Sequence, residues 1–133
     1  MPTPKELEKE LWDGLESDMT VMLGLADEAH LKPMTAQVDE GRLWFFTARD
    51  TDLVQKLSGD DDAVVTYAAK GHGLFATIHG TLTLDNDAKT IDRLWNPFVA
   101  AWFEGGKSDP KLALLRFEPG EAEIWENDNS IFA

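Results

Sequence analysis

Two hydrophobic periods alternate along this chain. Near the start, Leu7, Leu11 and Leu15 recur every four residues, with Trp12 alongside and charges between them. That spacing lines one face of a helix. Thr3, Pro4 and Glu6 stand where an N-cap, a first helical residue and the partner of a capping box belong. The pattern predicts an N-terminal helix over residues 1–17. From Met19 the period drops to two. Met19, Val21, Leu23 and Leu25 alternate with Thr20, Met22, Gly24 and Ala26, which reads as a strand. After a polar interruption at 27–31, Met34, Ala36 and Val38 alternate again. Asp39-Glu40-Gly41 turns, and the aromatic run Leu43 to Thr47 returns as the second arm of a hairpin.

The same reading continues to the end. Asp52 to Ser58 is a short helix with Leu53, Val54 and Leu57 inward, closed by Gly59-Asp60-Asp61-Asp62. Ala63 to Ala69 and Leu74 to Leu84 are strands joined by the turn Lys70-Gly71-His72-Gly73. Asp85-Asn86-Asp87 forms a turn and cap before a helical insertion over 87–104, interrupted at Pro97. Leu112 to Phe117 and Ala122 to Trp125 read as two last strands around Pro119-Gly120. Adjacent strands without regular helix alternation argue against a doubly wound parallel sheet. The fold class is mainly β with peripheral α-helices: a small barrel of six to seven mostly antiparallel strands, in one domain over 1–133.

Composition narrows the chemistry. The 133 residues contain no cysteine, which excludes disulfides, thiolate metal sites and a cysteine nucleophile. With 25 acidic and 12 basic residues the formal charge is −13, which disfavours nucleic acid as a partner. No apolar run is long enough for a membrane helix and the N-terminus lacks a signal-peptide core, so the expectation is a soluble cytoplasmic protein. His30, His72 and His79 read as loop and strand-surface residues, and no metal site is expected. Motifs of serine hydrolases, zincins, P-loops and dinucleotide folds are absent, and Asp60-Asp61-Asp62 reads as a solvated turn.

Several segments, in order, resemble the pyridoxamine 5′-phosphate oxidase-like split-barrel proteins, and among them the bacterial general stress protein group. These are Lys32-Pro33-Met34-Thr35-Ala36, Leu43-Trp44-Phe45-Phe46-Thr47, His79-Gly80-Thr81-Leu82, the stretch from Leu94-Trp95 through Ala101-Trp102-Phe103-Glu104-Gly105-Gly106 to Leu112–Arg116, and Ala122-Glu123-Ile124-Trp125-Glu126. The resemblance implies a split barrel, a homodimer, and flavin mononucleotide (FMN) at the subunit interface. A flavin needs a flat apolar wall, backbone groups for its ring edge and an anion site for its phosphate. On this reading Lys32, Pro33, Met34, Thr35, Phe46 and Thr47 border the ring. Arg49, Thr51, Lys56 and Lys32 face the phosphate, and Trp102 and Trp125 reach the flavin of the partner subunit. The implied activity is flavin-dependent electron transfer to a small molecule, with no catalytic side chain identified. The alternatives are a flavin-sequestering stress protein without turnover, a split-barrel dimer that has lost its cofactor, and a deazaflavin or haem in place of FMN.

The corner Phe45-Phe46-Thr47-Ala48-Arg49-Asp50-Thr51-Asp52-Leu53 departs from the family, whose members often place a cation near here, and arginine at Lys32. A carboxylate about 4 Å from a phosphate oxygen repels it by about 4 kcal/mol at an effective dielectric of about 20. The expectation is therefore that an aspartate turns away from the ligand to cap the helix.

Overall fold

A computed structural model describes residues 2–28 and 30–126 of the chain. The elements are α1 (Pro4–Asp18), β1 (Thr20–Leu25), β2 (Lys32–Thr35), β3 (Gln37–Asp39), β4 (Arg42–Ala48), α2 (Asp52–Lys56), β5 (Asp61–Ala68), β6 (Leu74–Leu84), α3 (Ala88–Leu94), α4 (Pro97–Trp102) and β7 (Leu112–Glu126), with a 3-10 turn at Gly106–Ser108. Thr3 and Glu6 form the expected capping box. Met19 belongs to the helix end instead of the first strand: it adopts φ 60° and its N–H bonds the Leu15 carbonyl.

All seven strands join one sheet in the order β2-β1-β5-β6-β7-β4-β3, and every pairing is antiparallel. The two edge strands of this order are neighbours in sequence, separated only by Ala36. Consecutive Cα atoms lie about 3.8 Å apart, so the edges must meet and the sheet curls into a half-barrel. Met34, Ala36 and Val38 are thus not one strand, as their alternation predicts. Ala36 is fully buried and donates its N–H to Met19 O at 2.7 Å, and the chain changes partner there.

The curl divides the apolar residues into two clusters. The barrel interior holds Val21, Leu23, Leu43, Phe45, Val65, Ile78, Leu115 and Phe117, with Leu11 and Leu15 of α1 packed against them. A second cluster on the outer face puts Trp44, Phe46, Leu112 and Leu114 beneath Ile91, Leu94, Val99 and Phe103. The first part of β7 and the middle of β4 are therefore buried on both faces, which is why they read as continuous apolar runs. The helical insertion forms α3 and α4, each with its own N-cap, Asp87 and Asn96.

The two predicted final strands are one 15-residue strand. Gly80 faces Pro119 while His79 faces Glu121, so Gly120 is an extra residue in a β-bulge. A bulge admits Pro119-Gly120 without ending the ladder.

The last residue of α1 is tied to the β5–β6 hairpin. The Asp18 carboxylate accepts from the Tyr67 hydroxyl at 2.5 Å and from the Lys70 N–H at 3.0 Å. Tyr67 is 3% exposed. The Tyr67 hydrogen bond holds the Asp18 carboxyl below its usual range, while burial and then Asp18 push the Tyr67 phenol above its own. We predict that Tyr67→Phe lowers stability by about 1.5–3 kcal/mol. A depressed carboxyl stabilises above its unfolded value and loses that contribution as pH falls through the folded one. A raised phenol stabilises below its unfolded value, about 10, and loses its contribution as pH rises through the folded one. The penalty of Tyr67→Phe should be greatest in the neutral range and shrink towards acid. Urea midpoints of both proteins from pH 2 to 7 test this; a constant difference would contradict it.

Candidate functional site

The half-barrel is open along one seam. β4 pairs with β7 on one edge, and its other edge is covered by β3 only over Arg42–Trp44. β2 pairs with β1 alone, and its second edge faces β4. Among the described residues, no strand pairs with the second edge of 32–35 or with the seam edge of 45–47. Backbone groups on such edges require water or a ligand. A flat molecule with hydrogen-bonding edges satisfies both sides of such a gap.

At one end of the seam lies the corner before α2. The residue that caps α2 is Thr51, not an aspartate: it is extended (φ −72°, ψ 151°) and its hydroxyl accepts from the Val54 N–H. The same hydroxyl donates to Ala48 O at 2.9 Å. Asp52 is the first helical residue, placed where a carboxylate favours the helix end. Arg49 donates through Nε to Leu112 O at 3.1 Å, which pins the corner to the start of β7. Lys56 pairs with Glu28 at 3.0 Å, and the Glu28 hydrogen bond and charge hold its pKa above the usual lysine range. A small cavity of about 100 Å³ here brings together Lys32, Lys56, Asp52 and Leu53. Lys32 has no ion pair among the described residues.

The other end of the seam opens into a cleft of about 270 Å³ beneath α4, where Thr35, Phe46 and Trp102 meet. Phe46 is 6% exposed and meets Trp95 edge-on, ring centroids 5.9 Å apart. Met34 instead packs against the barrel interior, so it and Phe46 lie in different clusters. Thr47 is half-buried, and alternation places it on the inner side with Phe45. Pro33 is exposed on β2. Trp125 is not brought to this seam. It pairs with Phe75 across β6–β7 and lines a shallow groove with Met22, Thr20 and Tyr67.

The sequence reading missed Gln37, Asn96 and Phe98, which also line the α4 cleft. A signal was present: Asn96-Pro97 is a cap followed by a first-turn proline, and Phe98 and Trp102 then fall on one helix face. No group of three or more metal-ligating side chains converges among the described residues.

Residues 6–133 match the family described as pyridoxamine 5′-phosphate oxidase like. The chain belongs to this family. The split-barrel chain also resembles a solved structure described as a general stress family protein from Xanthomonas campestris pv. campestris. The two are 50% identical with a TM-score of 0.89, covering 96% of this chain and 92% of the other. It is 49% identical to the general stress FMN/FAD binding protein of Xanthomonas citri, with a TM-score of 0.87 over 93% of this chain and 91% of that one. General stress protein 26 of Bacillus subtilis is 24% identical over 98 residues, 71% of this chain and 69% of that protein. The fold of this pyridoxamine 5′-phosphate oxidase-like protein is thus the split barrel its sequence predicts. No described helix is long and apolar enough to cross a membrane.

Proposed function

We propose that this protein binds flavin mononucleotide in the seam between β2 and β4 and uses it for electron transfer. The observation that carries this reading is the seam itself: two facing strand edges without a strand partner among the described residues, ending at Lys32 and Lys56. The relationship to an FMN/FAD binding protein at 49% identity supports it. The residues fit the cofactor. The backbone of 32–35 and 45–47 would hold the ring edge, with Thr35, Phe46 and Thr47 beside it. Lys32 would meet the phosphate, joined by Lys56 on leaving Glu28 and by the N–H groups of Arg49 that have no partner among the described residues. Thr51 acts by shaping the corner, since its hydroxyl already serves as cap. A bound flavin would supply one- and two-electron chemistry; the chain would position it and exclude water from its edge.

The exposed stripe of Met22, Phe75 and Trp125, which share one groove, favours a homodimer, because a contiguous exposed apolar patch gains by pairing. In that dimer Trp125 would approach the flavin of the second copy. A cytoplasmic location follows from the same reading. Flavin binding without turnover is the second reading, favoured by the neutral lining of the α4 cleft.

The test is a titration of the flavin-free chain with FMN and with riboflavin, followed by flavin fluorescence. We expect saturable FMN binding below about 10 μM and at least tenfold weaker riboflavin binding, since the phosphate adds about 1.5–3 kcal/mol. Equal affinities would remove the phosphate site from the corner, and no binding of either would end the flavin reading. Turnover of reduced nicotinamide with an electron acceptor separates the enzyme from the sequestering protein.

A further inference from the structure

The second half of β7 carries an inference that goes beyond the flavin reading. From Leu112 to Phe117 this strand lies between β4 and β6. From Glu118 to Glu126 it keeps β6 on one side, and no strand among the described residues pairs with its other side. A groove of about 410 Å³ separates this edge from α1. Leu7 and Leu11 of α1 form one wall, and Ile78, Ala122 and Ile124 form the floor. Glu8 and Glu121 are the charged residues of its lining. The groove shares no lining residue with the corner cavity or the α4 cleft.

An open edge beside an apolar groove suits an extended peptide. Main-chain hydrogen bonds hold the added strand, and every second side chain enters the groove. Charge decides which peptide fits. Alternation turns Ala122 and Ile124 into the groove and Glu121 and Glu123 to the other face of the strand. No lysine or arginine pairs with either glutamate among the described residues. At the end of the edge a hydrogen bond to Glu126 raises the Glu10 carboxyl above its usual range. Two copies of this edge would bring glutamate against glutamate, which disfavours pairing with itself. Residues 127–133 contain no lysine or arginine and supply no counter-charge. A formal charge of −13 steers basic partners to the chain. We propose that β7 accepts, as an added strand, a partner peptide in which lysine or arginine alternates with apolar residues. The apolar side chains enter the groove against Leu7, Leu11 and Ile124, and the cations stand opposite Glu121 and Glu123.

The probe is a fluorescein-labelled peptide of about seven residues, alternating lysine and valine, followed by fluorescence anisotropy against the full chain. We expect saturable binding below about 100 μM. Glu121→Lys should weaken it about tenfold. The same peptide with its backbone nitrogens methylated keeps every charge but cannot add a strand, and should bind at least tenfold more weakly. A peptide alternating glutamate and valine should not bind. Absent binding of the first peptide, or binding indifferent to Glu121→Lys, would overturn the proposal. Equal binding of the methylated peptide would reduce the contact to charge attraction and overturn strand addition. Release of monomers from a dimer on adding the peptide, read by sedimentation, would assign the edge to a second copy. No flavin is added, so a failed flavin titration leaves these outcomes unchanged.

Discussion

Gly80→Ala will destabilise the protein by about 3 kcal/mol. A Cβ at this position would fall inside contact distance of the Glu118 carbonyl oxygen and 2.8 Å from the Phe117 ring. Neither neighbour can yield cheaply. Glu118 belongs to the backbone of β7 beside the bulge, and Phe117 is fully buried in the barrel interior. Separating β6 from β7 at this point would loosen the longest pairing of the sheet, which runs from Leu74–Glu126 to Leu84–Leu115. In thermal unfolding the melting temperature should drop by about 10–15 °C. Gly120→Ala serves as the control, because its Cβ would lie 3.2 Å from His79 O and needs only a small adjustment. Equal losses from both substitutions would show that the bulge, and not the close approach at Gly80, sets the cost.

On the proposed flavin reading, Lys32→Ala will weaken FMN binding about tenfold to a hundredfold while leaving riboflavin binding unchanged. Lys32 is the cation at the corner cavity without a carboxylate partner among the described residues, whereas Lys56 must first leave Glu28. The selective loss follows because only the phosphorylated ligand would use the ammonium group. Asp52→Lys is the reverse arm. Asp52 lines the same cavity and does not cap α2, so a cation there should tighten FMN binding without the stability loss that removing a cap brings. Isothermal titration of both variants with FMN and riboflavin checks the pair. A Lys32→Ala protein that loses affinity for both ligands equally would place Lys32 in a structural role.

The elements of this protein were legible because their causes are local. The Thr3–Glu6 capping box, the leucine stripe of α1, the alternation in β1 and the turn at Lys70–Gly73 all act within a few residues of themselves. Hydrophobic period and cap chemistry read such features directly. The ordered segments from Lys32-Pro33-Met34 to Trp125 carried the family resemblance, which the match over residues 6–133 bears out.

Three features depended on partners far along the chain. Ala36 reads as the middle of an alternating strand, yet it is the corner where β2 leaves β1 and β3 joins β4, because the sheet edges meet there. Pro119-Gly120 reads as a turn, yet β6 runs past it and absorbs the extra residue as a bulge. At the Arg49–Asp52 corner, composition favours an aspartate cap; the backbone instead presents Thr51, and Arg49 is drawn to a carbonyl on β7. The sequence by itself determined most of the helices and strands and the family, since these rest on short-range periodicity and local capping. Only the tertiary structure decided where the barrel splits, that Met34 and Phe46 pack in different clusters, and that Phe98 and Trp102 overhang a neutral cleft, because each follows from which strand edges meet when the sheet curls.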